Sequence, residues 1–314
     1  MVGRPEIEHE PVLADRVVEL LAVGRGQVVV DATLGHGGHA VRLAAALGRE
    51  GRLIGLDVDP PNLARARDRL EAARTDDWPR LHLFRANFAD VREALSALDI
   101  ERVHVLLADL GLSTDQMLDS TRGLSFSEDG PLDMRIDPDL PEAAADLVNR
   151  LSEADLADLL YRNAQERYSR RIARRICQAR HSGRIRTSGE LVAIVLAALP
   201  GPRSGPKAKI HPATRTFLAL RMAVNRELEN LQSFLAIAPK TLYSGGRVGV
   251  LTFHSGEDRI VKQDFLDRRR TGVYEWVTRK PVQPSRDELD RNPRARSAKF
   301  RVAARTENPL PSEA

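Results

Sequence analysis

The sequence predicts an α/β fold, a Rossmann-like doubly wound sheet with an inserted all-helical domain. Three observations carry this. Short apolar strands alternate with amphipathic helices through the first part of the chain. A glycine loop, Gly35 to Gly38, follows the first strand and opens a helix. Residues from about 113 to 215 show helical periods and no convincing strand, after which a strand pattern returns.

Taken in order, the β-branched run at 28–30 reads as the first strand and is followed by a helix from about Gly38 to Leu47. A strand over 52–56, a helix over about 61–73, a short strand in LHLFRA and a strand over 103–108 complete the first half of the sheet. The helical stretch contains EADLADLLYRNAQERYSRRIARRI and SGELVAIVLAAL. Loop-forming segments bound it: STDQMLDSTRGLSFSEDGPLDMRIDPDLP on one side and PGPRSGPKAKIHP on the other. A long helix near Ala213 to Leu235 then leads to the strand GGRVGVLTF, and KFRVAAR supplies a last edge strand. The expected organisation is a core over 1–112, an inserted helical substrate-recognition domain over 113–215, and the rest of the core with a basic C-terminal segment over 216–314. No internal repeat or low-complexity tract interrupts it.

With 314 residues, 42% of them hydrophobic, the chain can bury a substantial core. The single cysteine, Cys177, excludes an internal disulfide and a cysteine-cluster metal site. The longest apolar run, LVAIVLAAL from Leu191, has nine residues, where a membrane span needs about 20. The stretch MVGRPEIEHEP lacks the apolar core of a secretion signal, so the expected location is cytoplasmic, with no membrane partner. Charge is unevenly spread. Ser125 to Leu160 holds ten acids against two bases, whereas Arg162 to Arg186 holds nine arginines against one acid, Glu166. From Arg259 to Arg305 there are fourteen Lys/Arg and six Asp/Glu. Two basic stretches flanking a cofactor site suit a polyanion such as RNA; solvated helix faces are the plain alternative.

The segment VVVDATLGHGGHA, Val28 to Ala40, describes a nucleotide-like cofactor pocket at the carboxyl end of a strand. Gly35, Gly37 and Ala40 match the G-x-G-x-x-A spacing of a dinucleotide site, and Asp57 lies where a ribose-binding acid belongs. Asp31 argues against a pyrophosphate, which a carboxylate there would repel. S-adenosylmethionine, with its sulfonium and ammonium, would be attracted instead. A turn serving only close packing is the competing explanation. Asp109 ends the strand VHVLLA and so shares the carboxyl edge with Asp31 and Asp57; it either acts on a substrate or caps the next turn. Ser113, Thr114 and Gln116 follow where they can meet cofactor or substrate, and Phe88 is placed either to border an adenine or to fill the core. His36 and His39 bracket the glycines but have no cysteine or H-E-x-x-H partner, so no metal is expected. FHSGEDR holds His254, Ser255 and Asp258 without the G-x-S-x-G elbow of a hydrolase. ADLGLS follows the fourth strand where DNA amino-methyltransferases commonly carry D-P-P-Y or S-P-P-Y, which favours RNA over DNA.

HEPVL, DATLGHGGHA, GLDVDP, RGLSFSEDGPLDMR, HPATRTFLALRMAVNREL, TFHSGEDRIVK and NPRARSAKFRVA occur in one order across nearly the whole chain. In these blocks the sequence resembles the bacterial ribosomal RNA small-subunit methyltransferase H family. The resemblance implies a class I methyltransferase fold and an S-adenosylmethionine-dependent enzyme. Its implied target is the exocyclic N4 amine of one cytidine in the decoding region of 16S ribosomal RNA, in the small ribosomal subunit. It also implies cofactor contacts at Gly37, Gly38, His39, Asp57, Phe88, Asp109 and Gln116, with Asp109 the expected catalytic group. Three positions depart from the pattern: His36 where the family has a second glycine, Thr114 and Asp115 where it has Ser-Pro, and Gly256 where it has leucine. A methyltransferase for a small molecule or protein, a nicotinamide-dependent oxidoreductase and a non-catalytic RNA-binding factor are the rival readings of the residues alone.

Overall fold

The computed structural model describes residues 11–125, 128–200 and 211–310. The start of HEPVL, Phe126 and Ser127 of the SFSEDG loop, and most of PGPRSGPKAKIHP lie outside those residues. The chain divides into two compact units, Met1–Gly111 with Asn230–Ala314, and Leu112–Glu229.

The first unit is built on a seven-stranded sheet. Its first half alternates helices α1 (Ala14–Leu21), α2 (Gly38–Leu47), α3 (Pro60–Ala72) and α4 (Val91–Ser96) with strands β1 (Val28–Asp31), β2 (Arg52–Asp57), β3 (Arg80–Arg85) and β4 (Val103–Asp109). The second unit contributes α5 (Thr114–Leu118), α6 (Ala144–Arg150), α7 (Glu153–Ala164), α8 (Ser169–Ser182), α9 (Ser188–Ala198) and α10 (Thr214–Val224). The chain returns through α11 (Glu227–Thr241), β5 (Leu242–Thr252), α12 (Ser255–Arg270), β6 (Tyr274–Trp276), α13 (Arg286–Arg291) and β7 (Lys299–Arg305). The strand order is β3-β2-β1-β4-β5-β7-β6. β1 to β5 pair in parallel, and β7 runs antiparallel to both β5 and β6. This is the expected doubly wound α/β architecture.

Burial explains why these strands lack the alternating pattern of a one-sided sheet. In β1, Val29 packs with Leu43, Leu47 and Phe300 on one face, and Val30 with Phe234, Leu235 and Phe265 on the other. β4 divides likewise, Val105 and Leu107 to the first face, Leu106 and Ala108 to the second. Helices cover both faces of a parallel sheet, so its strands read as continuous apolar runs. The seam between β1 and β4 is where the winding reverses, and ligands of open α/β sheets bind outside the carboxyl ends of the strands at such a seam.

Three expectations change. KFRVAAR forms β7, but β7 is interior and the three-residue β6 takes the edge; β7 buries Phe300 and Val302 on one face and Ala303 on the other. The long helix from Ala213 is two helices, because Arg226 adopts a left-handed φ of 50°. Asn225 fixes that break: its Oδ1 accepts from the Ile136 N–H at 2.8 Å and its Nδ2 donates to the Met134 carbonyl at 2.8 Å. The helical unit runs to Glu229, beyond the expected edge at 215, since Phe217, Leu220 and Val224 of α10 share a core with Leu156, Leu160, Ile172 and Ile176. Among the described residues, no helix is long and apolar enough to cross a membrane.

Candidate active site

Asp31, Asp57 and Asp109 are the last residues of β1, β2 and β4, three neighbours in the sheet. Register places Asp31 beside Gly55 on one side and Leu107 on the other, so the three carboxylates share one carboxyl edge. The loop after β1 is tied down at several points. The Ala32 N–H donates to the Leu107 carbonyl at 2.8 Å and the Leu34 N–H to the Leu56 carbonyl at 2.8 Å. Thr33 joins two of the acids: its own N–H donates to Asp31 Oδ1 at 3.3 Å, and its hydroxyl accepts from the Asp109 N–H at 2.5 Å. Thr33 was not singled out from the sequence, where it is one small residue between the aspartate and the glycines.

The glycine loop then enters α2. Gly37 has φ 76°, and a Cβ there would lie 3.2 Å from the Ala66 Cα in α3, so both the backbone conformation and the helix packing require glycine. As N-cap, Gly37 offers no side chain to the first turn, whose N–H groups at Gly38 and His39 have no partner within the helix. His39, 6% exposed, reaches back to the sheet edge with Nε2 3.4 Å from Asp109 Oδ2.

The carboxyls differ in setting. Burial pushes Asp31, 1% exposed, from 3.8 up to about 7. The His39 ring works against that shift, and the Asp109 carboxylate adds to it. Burial also raises Asp57, to about 6, opposed by hydrogen bonds from the Asp59 and Gly35 N–H groups. Those two bonds are each 2.8 Å and go to different oxygens, while Asn62 Nδ2 reaches both oxygens at 3.3 and 3.4 Å. Asp57 is thereby locked in orientation, and its longest contacts are those most readily exchanged for a ligand hydroxyl. Asn62 is a second residue the sequence did not single out.

Phe88 begins a short 3₁₀ turn after β3, and its ring meets Phe234 edge-on at 6.0 Å between centroids. It is half-buried, so it serves the core on one side whatever it borders on the other. Gln116 belongs to the second unit, where it completes a capping box. Its Oε1 accepts from the Ser113 N–H at 3.0 Å, and Ser113 Oγ accepts from the Gln116 N–H at 3.2 Å. The FHSGEDR segment starts α12. His254 is its N-cap, with Nδ1 accepting from the Glu257 N–H at 3.3 Å. Asp258 accepts from Arg301 Nε at 2.7 Å and Lys299 Nζ at 2.9 Å. Both groups are thus engaged in holding the helix start and β7.

Asp31 Oδ2, Asp109 Oδ1 and both ring nitrogens of His39 are buried without a hydrogen-bond partner among the described residues. Buried polar atoms are rarely left so, and their concentration at one strand edge marks a ligand position. The donor set is two carboxylates, an imidazole and a helix N-terminus, which suits a zwitterionic ligand bearing an additional positive charge.

The model of the MraW methylase family matches residues 6–306. The ribosomal RNA small subunit methyltransferase H of Koribacter versatilis (strain Ellin345) is 45% identical, covering 96% of this chain and 96% of that protein. The protein of the same name from Desulfosudis oleivorans is 46% identical, covering 94% and 98%. These matches cover the strand edge, the glycine loop and the helical unit alike, and the chain belongs to the MraW methylase family.

Proposed function

We propose that this chain is an S-adenosylmethionine-dependent methyltransferase. Its target is the exocyclic N4 amine of a cytidine in the decoding region of 16S ribosomal RNA, in the small ribosomal subunit in the cytoplasm. The observation that carries this reading is the set of unpartnered buried atoms on Asp31, His39 and Asp109. A cationic sulfur compound satisfies them, whereas a dinucleotide would bring its pyrophosphate against the same carboxylates. The family supplies the reaction class, and the relatives' names specify small-subunit ribosomal RNA.

The residues fit such a donor. Gly37 lets the backbone approach closely, and the N–H groups of Gly38 and His39 suit the carboxylate of its amino-acid portion. Asp57, already fixed by Gly35 and Asp59, takes the ribose hydroxyls, and the free side of Phe88 borders the adenine. Gln116 joins this set on the family resemblance. When bound, S-adenosylmethionine supplies an electrophilic methyl group on a cationic sulfur. Asp109 accepts a hydrogen bond from the cytosine amine, which draws the nitrogen lone pair out of conjugation with the ring and disperses the positive charge that develops on nitrogen. His39 and Thr33 hold Asp109 in place from either side. Orientation of this kind supplies up to roughly 7–11 kcal/mol in favourable intramolecular cases. The target base must leave its stack to reach a pocket, so flexible RNA is favoured over duplex.

The test gives the protein labelled donor with naked 16S RNA, assembled small subunits and DNA in parallel, then maps the modified nucleotide. Methyl transfer to a cytidine of the RNA, in either form, is expected. Transfer to DNA alone, or tight binding of a pyridine dinucleotide with no donor uptake, overturns the reading.

A further inference from the structure

Within the helical unit, the connection between α7 and α8 combines features that the donor site does not use. Met117, Tyr161, Tyr168 and Tyr243 are the exposed large hydrophobic residues among those described, and two of the four flank this one connection. Tyr161, 60% exposed, lies in the last turn of α7, and Tyr168, 37% exposed, is the N-cap of α8. The surroundings are cationic. α8 buries Ile172, Ala173, Ile176 and Cys177 and turns Arg170, Arg171, Arg174 and Arg175 outward. Arg174 is paired with Glu153 at 3.3 Å. Arg167, Arg170 and Arg171 make no ion pair among the described residues.

The connection is also held still. Gln165 caps α7 in the left-handed region, φ 51°, with its N–H donating to the Tyr161 carbonyl at 2.8 Å. Glu166, the only acid from Arg162 to Arg186, is 4% exposed and accepts from the Tyr168 N–H at 2.9 Å. Its carboxyl is taken up in shaping the turn. Arg215 donates to the Gln165 carbonyl at 3.4 Å, and Asn163 to the Ala219 carbonyl at 3.0 Å. A fixed turn therefore presents two rings among unpaired guanidinium groups.

We propose that Tyr161 and Tyr168, with Arg167, Arg170 and Arg171, form a stacking platform for single-stranded RNA. This rests on the reading of the protein as an RNA methyltransferase and assigns the part of the helical unit that grips the strand. Aromatic rings amid arginines are the means by which proteins hold unpaired nucleotides: bases stack on the rings and phosphates lie on the cations. A duplex hides its base faces, so the platform selects single strands.

The test measures binding of a short labelled single-stranded RNA, and of its duplex, across a salt series. Tyr161→Ala and Tyr168→Ala are each expected to weaken single-strand binding, roughly 5- to 150-fold per ring lost, without altering the salt slope. Tyr161→Phe and Tyr168→Phe, which keep the ring, restore it. Arg170→Gln with Arg171→Gln lowers the log–log salt slope by about 1.4. Circular dichroism and donor binding stay at the wild-type level in all of them. Alanine variants that bind single strands like wild type, or phenylalanine variants that fail to rescue, overturn the platform. So does loss of binding to RNA-free small-subunit proteins with RNA binding intact, which points to a protein partner. If the wild type still methylates 16S RNA in those cases, only the platform falls; if it transfers no methyl group to RNA, the underlying reading falls with it.

Discussion

His39 Nε2 lies 3.4 Å from Asp109 Oδ2, joining the first turn of α2 to the last residue of β4. The approach is of ion-pair length but lacks hydrogen-bond alignment, and among the described residues neither ring nitrogen has another partner. Asp31 completes the group, its carboxyl raised by burial and by Asp109 and eased by His39. One imidazole thus stands among carboxylates in a buried corner, and the corner gains from any ligand that brings positive charge.

Asp109 is expected to carry chemistry and His39 to position it. At saturating donor, Asp109→Asn should lower turnover about 10²–10⁴-fold, the range of a positioned proton acceptor. His39→Asn, which removes the constraint on Asp109 but leaves the acid in place, should lower turnover roughly 10²-fold, as misplacement of a reacting group does. Near-normal single-turnover rates for Asp109→Asn would falsify its assignment. The split between the two variants tells acceptor from support.

Donor affinity should depend on pH in a way that the sulfur charge controls. Asp31 titrates near 7 in the folded protein, so its carboxylate form is filled as pH rises through that value. S-adenosylmethionine, with a sulfonium, should bind more tightly from pH 6 to 8. S-adenosylhomocysteine has a neutral sulfur but the same ammonium and ribose, so what the ammonium owes to Asp31 and the ribose to Asp57, which titrates lower, near 6, is common to both ligands and only the sulfonium's share differs. The ratio of the two affinities should increase about 10-fold across that interval, a small part of what two close charges can contribute near a protein surface. Calorimetry on both ligands measures it, and Asp31→Asn should make the ratio flat.

The same carboxyl should cost stability at neutral pH. A group whose pKa is raised on folding holds its proton more tightly in the folded chain than in the unfolded one. Its contribution is therefore most favourable below the unfolded value, 3.8, and is lost as pH rises to about 7. The shift sets an upper bound of roughly 4 kcal/mol. Asp31→Asn keeps an acceptor for the Thr33 N–H and removes the charge, so Tm should rise by several degrees at pH 8 and change little at pH 4. Thermal unfolding at the two pH values decides it. A variant that is more stable yet binds donor less well would show that the buried acid is retained for the ligand.

Much of this site is legible in the chain because its elements announce themselves locally. Asp31, Asp57 and Asp109 each end an apolar run, and the alternation of strand and helix brings such ends to one edge. Contacts made through space leave no such trace. Nothing near His39 in the sequence says that it meets Asp109, seventy residues on. Asn62 resembles any helix-start residue until its amide is seen on Asp57. The break at Arg226 is hidden because its cause, Asn225, bonds to Met134 and Ile136, far away in the chain. β6 was missed because three residues carry too little period to register.

Gly37 tests whether the loop geometry itself serves the ligand. Its φ of 76° disfavours any side chain, and an added Cβ would press on the Ala66 backbone at 3.2 Å. The left-handed conformation alone costs a non-glycine residue roughly 1–2 kcal/mol, and α2 or α3 must move by a few tenths of an ångström to relieve the contact. Gly37→Ala should therefore lower stability by about 1–2 kcal/mol and weaken donor binding more than that strain alone predicts, because the first turn of α2 carries His39 and the N–H groups proposed above to meet the donor. Gly35→Ala is the control: its φ is also positive, at 52°, but a Cβ there meets nothing within 4 Å among the described residues. It should lose comparable stability and retain most of its donor affinity. Equal loss of affinity in both variants would make backbone strain sufficient and remove the need for close approach at Gly37.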